Sequence, residues 1–363
     1  MKRRQVVKAL GVGALSAGSL AGCTDSRSSQ PQSNPIDWTM VTTWPKNFPG
    51  LGTGANFLAS LINEMSGGRI RIKVYGANEQ VAALEVFDTV AAGKAQMGHG
   101  AAYYWRDKSH AAQFFAAVPF GLTAQEMNAW LYHGGGMALW EEVYAPFGLL
   151  PAAVGNTGVQ MGGWFNREIT SLDDLKGLKM RIPGLGGEVL KRAGGEPVFL
   201  TGEEIYPALQ SGAIDATEWV GPYNDLAFGL HRAAKFYYYP GWHEPGSTVE
   251  CLINRQAFET LPEDLRSIVR NACRVANQDM LADFTAKNNA ALKQLIDEQG
   301  TELRRFPDDV LHELRMLSEQ VLREEAAADP LAGRVYQSFQ RFRSQAITWH
   351  SLSEQAYLDA RQT

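Results

Sequence analysis

Cysteine is nearly absent, with three in 363 residues. Cys23 ends an apolar leader, which leaves only Cys251 and Cys273. One pair is no disulfide framework, and free thiols are expected. Charge is sparse: charged residues are 20% of the chain against 45% hydrophobic, a balance that excludes a wholly disordered polypeptide. No apolar run reaches the roughly 18 residues of a bilayer-crossing helix. Positive charge is in shortest supply. The first 22 residues hold Lys2, Arg3, Arg4 and Lys8 and no acid; without them 30 basic side chains face 39 acidic ones. That balance is the reverse of a phosphate-binding footprint and excludes nucleic acid as the main partner. Several signature motifs are missing as well. Gly184-Leu185-Gly186-Gly187-Glu188-Val189 has valine where a dinucleotide fingerprint needs its third glycine. There is no P-loop and no G-x-S-x-G elbow. No two of the seven histidines stand at i, i+4, and there is no zinc signature. No serine or cysteine accompanies a base-bearing motif, which speaks against nucleophilic catalysis.

What is present begins with an address. Lys2-Arg3-Arg4-Gln5-Val6-Val7-Lys8 is similar to a twin-arginine export signal. A short apolar segment, Ala9 to Ala21, follows and runs into Leu20-Ala21-Gly22-Cys23, which resembles a lipobox with Cys23 as the lipidated residue. Residues 1–23 are therefore read as a cleaved signal for the periplasm. Residues 24–35, rich in Ser, Gln, Asn and Pro, are read as a tether. A plain cleaved signal with an accidental cysteine is the alternative.

The remaining length suits two lobes, at about 100–200 residues per domain. Strand patterns at Trp38–Thr42, Ile70–Val74 and Gln96–Gly100 alternate with helical ones at Ala55–Met65 and Val81–Ala92. The alternation returns after residue 150, with strands at Ala152–Val154, Gln160–Asn166, Lys179–Ile182, Pro197–Leu200 and Ala213–Trp219. Helices are expected at Glu188–Ala193 and Glu203–Ser211, and Ser171-Leu172-Asp173-Asp174 has the spacing of a capping box. Alternation of this kind predicts α/β architecture with parallel sheets. Beyond about Pro262 the chain reads as helical, with amphipathic runs at Met280–Gln299, Asp308–Ala328 and Leu331–Ala360.

Arg181 falls near the end of a predicted strand, where open α/β sheets bind ligands. Its planar fork suits a small carboxylate, and equally an ordinary ion pair. Glu218 closes a mostly apolar strand and would need a partner, an arginine or a cation. Together with Glu244, in the aromatic loop Trp242-His243-Glu244-Pro245-Gly246, it supplies two carboxylates for a hard cation. Singly, each glutamate reads as a cap or surface charge. Gln160 is either a ligand-binding amide or a surface one. Tyr103-Tyr104-Trp105 and Trp164-Phe165 either line an apolar pocket or pack in a core.

Two passages carry a family resemblance. Leu175-Lys176-Gly177-Leu178-Lys179-Met180-Arg181-Ile182-Pro183 and Glu204-Ile205-Tyr206-Pro207-Ala208-Leu209-Gln210-Ser211-Gly212-Ala213-Ile214-Asp215-Ala216-Thr217-Glu218 resemble the hallmarks of the solute-binding receptors of tripartite ATP-independent periplasmic (TRAP) transporters. The resemblance runs from about Trp38 to about Arg305. Thr43-Trp44-Pro45, Tyr103-Tyr104-Trp105, Glu218-Trp219-Val220-Gly221-Pro222 and Gly241-Trp242-His243-Glu244-Pro245-Gly246 are most similar to the branch that binds 2-oxo (alpha-keto) acids. It implies a two-lobed α/β periplasmic binding fold with a long C-terminal helical extension. Lobe I would span 36–158 and about 250–285, lobe II 159–249, and C-terminal helices 286–363. It implies that Arg181 clamps a substrate carboxylate with help from Gln160. It also implies a sodium ion, or alternatively calcium, held by Glu218, Trp219 through its carbonyl, and Glu244, and touching the substrate. Tyr103 and Tyr104 fall in the first-lobe contact region. The last helix resembles one exchanged in homodimers. The expected function is a periplasmic receptor, not an enzyme, that delivers a pyruvate-like 2-oxo monocarboxylate to a TRAP membrane permease. The same fold serving lactate or another organic acid with calcium, and a periplasmic enzyme acting on an organic acid, are the rival readings.

Overall fold

Ile70, Ile72 and Val74 point to one side of a strand whose other positions, Arg71 and Lys73, meet water, and this alternation seeds the first of two sheets in the computed structural model. The structure describes residues 34–361. The signal, Cys23 and nearly all of the 24–35 tether therefore lie outside the described residues. In chain order the strands are β1 (Ile36–Thr42), β2 (Ile70–Tyr75), β3 (Met97–Gly100), β4 (Leu149–Asn156), β5 (Gly163–Phe165), β6 (Lys179–Arg181), β7 (Glu196–Val198), β8 (Ala216–Thr217), β9 (Phe236–Tyr239), β10 (Thr248–Asn254) and β11 (Glu302–Arg305). The first sheet has the order β2-β1-β3-β10-β4 and the second β11-β9-β5-β8-β6-β7. The chain thus builds one sheet, moves to the other, returns for β10 and crosses again for β11.

Neither sheet is purely parallel, which corrects the expectation drawn from the alternation. β10 runs antiparallel to both β3 and β4, and β5 antiparallel to β8 and β9. All seven residues of β10 are buried. A strand covered on both faces has no period-two signal, so the pattern gave no notice of it. The helical expectation for Val81–Ala92 narrows to a 3-10 turn, Ala83–Glu85, and a helix, Val86–Ala91. The expected strand Ala213–Trp219 shrinks to Ala216–Thr217. The run Met280–Gln299 is the end of one 35-residue helix, Glu263–Asp297, which continues unbroken across the 285/286 division. That helix packs on β4 of the first sheet and on helix Leu51–Met65, and also on helix Pro222–Phe228, which lies in the chain between β8 and β9 of the second. The 286–363 segment is not wholly helical, because β11 joins the second sheet beside β9. Its helix Asp308–Ala326 packs on helix Gly184–Arg192, whereas helix Pro330–Leu352 packs on the turn His110–Phe115, with Phe339 buried against Trp130 and Phe114.

Glu250 sits in the middle of β10 with no exposure, accepting hydrogen bonds from Trp105 Nε1 and from Tyr144 Oη at 2.8 Å. Burial pushes its carboxyl up to about 7 against these two bonds, which favour the ionised form. A folded-state acid raised in this way is protonated in the native chain while the unfolded chain ionises. Its stabilising contribution is full below the unfolded value of about 4.5 and is lost as pH rises toward 7. Glu250→Gln should therefore remove part of the stability loss between those pH values, on the order of 1–3 kcal/mol. Denaturant melts across that range check this, and an unchanged pH slope would contradict it.

Candidate functional site

β6 and β8 are parallel neighbours in register, Arg181 opposite Thr217. Parallel pairing places the carboxyl ends of both strands side by side, so Arg181 and the residue just after β8, Glu218, emerge together at the carboxyl end of the sheet. The Glu218 N–H donates to the Arg181 carbonyl at 3.2 Å. Both side chains are 1% exposed and form an ion pair through Arg181 Nη1 and Glu218 Oε1. Three further contacts fix the guanidinium: Nε to the Leu200 carbonyl at 3.2 Å, Nη1 to the Glu218 carbonyl at 3.3 Å, and the Trp219 ring 5.1 Å away. Burial, the largest influence, opposes the arginine's charge, but Glu218 together with Tyr104, Tyr103 and Glu244 outweighs it and holds the pKa above its ordinary value. Nη2 is buried and has no partner.

Two loops meet this pair. The Gly241 N–H donates to the Gln160 carbonyl at 3.0 Å, and the Gln160 N–H to the Glu244 carbonyl at 3.1 Å. The approach is so close that a Cβ on Gly241 would lie 2.2 Å from the Gln160 oxygen. This backbone pairing brings Gln160 Nε2 to 2.8 Å from Glu244 Oε2 and 3.1 Å from Thr157 Oγ1. Burial, then the charge of Glu218, raises Glu244 well above the carboxylate range. His243 Nε2 lies 3.4 Å from Glu218 Oε2. One ligand atom from each of Glu218, His243 and Glu244 falls within 4.8 Å of the others, and all three residues are buried. Gln160 Oε1, Glu218 Oε2 and the His243 ring nitrogens are, like Arg181 Nη2, buried without hydrogen-bond partners. Unpaired buried polar atoms are costly. A cluster of both donors and acceptors of this kind has the chemistry to hold an anion and a cation together.

Tyr103 and Tyr104, with ring centroids 4.8 Å apart, stand over the cluster from the first-sheet side. Burial, then the Glu244 charge, raises Tyr103 well above 10. Gly184, at φ +59, lets the backbone after Arg181 pass under Tyr103, whose Cβ would be 3.0 Å from a Cβ there. The two tyrosines separate a small inner chamber of about 10 Å³, reached also by Trp44, Gln160 and Trp219, from an outer cavity of about 300 Å³ bounded by Arg106, Glu188 and Phe199. The inner chamber is about the size of one water molecule, too small for an organic ligand as it stands.

Arg181, Glu218, Trp219, Glu244, Gln160, Tyr103 and Tyr104 thus come together. Trp164 and Phe165 do not join them: both are core residues, Trp164 stacked on Tyr237 at 4.0 Å. Trp105 turns away to Glu250. His243 stands out in the sequence only as part of its loop, because one histidine without a spaced partner carries no metal signal. Thr157, three residues from Gln160, gave none either. Cys251 and Cys273 are free and buried, as expected. A separate cavity of about 500 Å³ is lined by Arg255, Arg266, Arg270 and Arg274, but these pair with Glu259 and Glu263 or lie over Phe258 and Tyr132.

Residues 40–329 match the family model of bacterial extracellular solute-binding protein, family 7 (DctP). The monocarboxylate 2-oxoacid-binding periplasmic protein of Nostoc sp. is 43% identical over 359 residues, covering 98% of either chain. A TRAP periplasmic solute-binding protein from Colwellia psychrerythraea, solved with bound calcium and pyruvate, is 42% identical with TM-score 0.87, over 90% of this chain and 99% of that one. One from Pseudoalteromonas atlantica, solved with sodium and pyruvate, gives the same figures. With its two mixed sheets, long C-terminal helices and buried arginine–glutamate pair, the chain belongs to the DctP family of extracellular solute-binding proteins, the solute receptors of TRAP transporters.

Proposed function

We propose that this receptor binds a small 2-oxo monocarboxylate, pyruvate or a close analogue, together with a metal cation, and breaks no bond in it. The observation that carries the reading is the convergence of an unpartnered guanidinium donor with unpartnered acceptors of Gln160 and Glu218 in one water-poor place. Arg181 Nη2 would meet the substrate carboxylate, with Gln160 beside it. Glu218, the Trp219 carbonyl and Glu244 would hold the cation, which meets the keto and carboxylate oxygens. Two carboxylates suit calcium as well as sodium. Imidazole nitrogen is a poor ligand for either, so His243, whose Nε2 lies 3.4 Å from Glu218 Oε2, is left outside the cation's ligand set. The two relatives solved with pyruvate support this choice of ligand.

Closure follows from differential contact. A ligand touching Arg181 from one side and Tyr103 and Tyr104 from the other favours the closed arrangement of two lobes, 36–158 with about 250–285 and 159–249. The leader and Cys23 suggest export and a lipid anchor. Trp349, Leu352 and Tyr357, 65%, 76% and 66% exposed, suit a homodimer formed through the last helices. Titration calorimetry with pyruvate and with uncharged pyruvamide tests the ligand. Binding of the first and not the second is expected, and equal affinities would end the reading. The same samples, followed for product and by light scattering, separate receptor from enzyme and dimer from monomer.

A further inference from the structure

An ion pair spans the mouth of the site without reaching its floor. Arg106, two residues past Tyr104 on the first-sheet side, places Nη1 2.5 Å from Oε1 of Glu188. Glu188 belongs to helix Gly184–Arg192, which leaves the second sheet directly after Arg181. Arg106 Nη2 lies 2.6 Å from Glu325 Oε1. Glu325, near the end of helix Asp308–Ala326, also receives Gln113 Nε2 at 3.2 Å and faces His110 Nδ1 at 2.8 Å. Arg106 and Glu188 both border the outer cavity, together with Tyr103 and Tyr104. Neither borders the inner chamber.

From this placement we infer that Arg106 is a positioning residue for ligand retention: bound to Glu188 and Glu325, it holds the Tyr103–Tyr104 segment shut over the inner chamber. The inference rests on the receptor reading above. Three features support it. The pair joins segments that carry the two walls of the site, so the walls cannot part while it stands. Arg106 and Glu188 are about one-third exposed and Glu325 is 10% exposed, so the contact is shielded enough to matter yet accessible to water on opening. Glu325 adds the C-terminal extension as an anchor. Its own helix packs on Gly184–Arg192, while its carboxylate grips Arg106, His110 and Gln113 on the opposite wall. Opening the crevice separates those partners. A contact broken on opening and absent from the ligand governs how fast ligand leaves rather than which ligand is chosen.

The test uses the full protein, with pyruvate and sodium or calcium chloride, in stopped-flow tryptophan fluorescence. Arg106→Ala and Glu188→Gln should raise the pyruvate dissociation rate by about tenfold, speed association rather than slow it, and leave the pyruvate-to-lactate affinity ratio unchanged. Arg106→Lys, which keeps a positive charge facing Glu188 and Glu325, should recover part of the retention. An unchanged dissociation rate, or a shifted affinity ratio, would overturn the assignment. Hydrogen exchange on the ligand-free protein tests it independently of the ligand. Faster exchange at Gln160–Gly162 and Trp219–Gly221, remote from the substitution, supports the inference. Changes confined to 102–107 overturn it. If wild type binds no pyruvate, the receptor's ligand assignment fails while the exchange result still decides the role of Arg106.

Discussion

Arg181→Ala is expected to weaken pyruvate binding by roughly 30-fold to several thousandfold, the range for truncating one member of a buried charge pair, about 2–5 kcal/mol. Two losses combine. The donor Nη2 that would meet the carboxylate disappears, and Glu218, 1% exposed, loses its guanidinium partner. Part of the effect therefore arises from the protein and part from the ligand. Arg181→Met with Glu218→Gln removes the first of these, because it takes away both charges and leaves no carboxylate stranded, while also withdrawing one proposed cation ligand. That variant should fold at least as well as the single substitution and still bind no pyruvate. Calorimetry paired with thermal melts reads both quantities. Near wild-type affinity in the folded double variant would remove the proposed clamp.

The second large effect concerns the cation. Replacing sodium and calcium by choline, with a chelator present, should lower pyruvate affinity by about 5–150-fold, and pyruvate should tighten the cation by the same factor. The reason lies in the site's charge. Glu218 and Glu244 approach each other in a dry place, with one arginine already committed to Glu218. Adding an organic anion there requires a compensating positive charge. Burial and Glu218 together favour the protonated form of Glu244. A proton and a cation therefore compete for it, and affinity should fall as pH is lowered. Glu244→Gln should abolish the dependence on sodium and calcium. Pyruvate titrations in each salt check this, and a salt-independent affinity in wild type would contradict a shared ion.

Much of the architecture could be read directly. Alternation at Ile70, Ile72 and Val74 located β2 to within a residue of its end, and Ser171 with Asp174 did form a capping box. Local patterns of this type depend on neighbours a few residues away. β9, β10 and β11 were missed because their burial is set by partners far along the chain. β10 is flanked by strands beginning near residues 97 and 149. Arg181 at a strand end and two unexplained acids, Glu218 and Glu244, were enough to nominate a site.

Residue types and their order therefore settled the class of fold, the charged groups that had to be accounted for and the family. The tertiary structure decided which of those groups meet. Parallel pairing of β6 with β8 put Arg181 against Glu218, the backbone clasp between Gly241 and Gln160 carried Glu244 and His243 to them, and the far walls brought Arg106 to Glu188 and Glu325. Local sequence specifies dihedral preference and amphipathic period, which are short-range. The meeting of side chains 37, 84 and 219 positions apart is a long-range outcome of core packing, and no period in the chain records it.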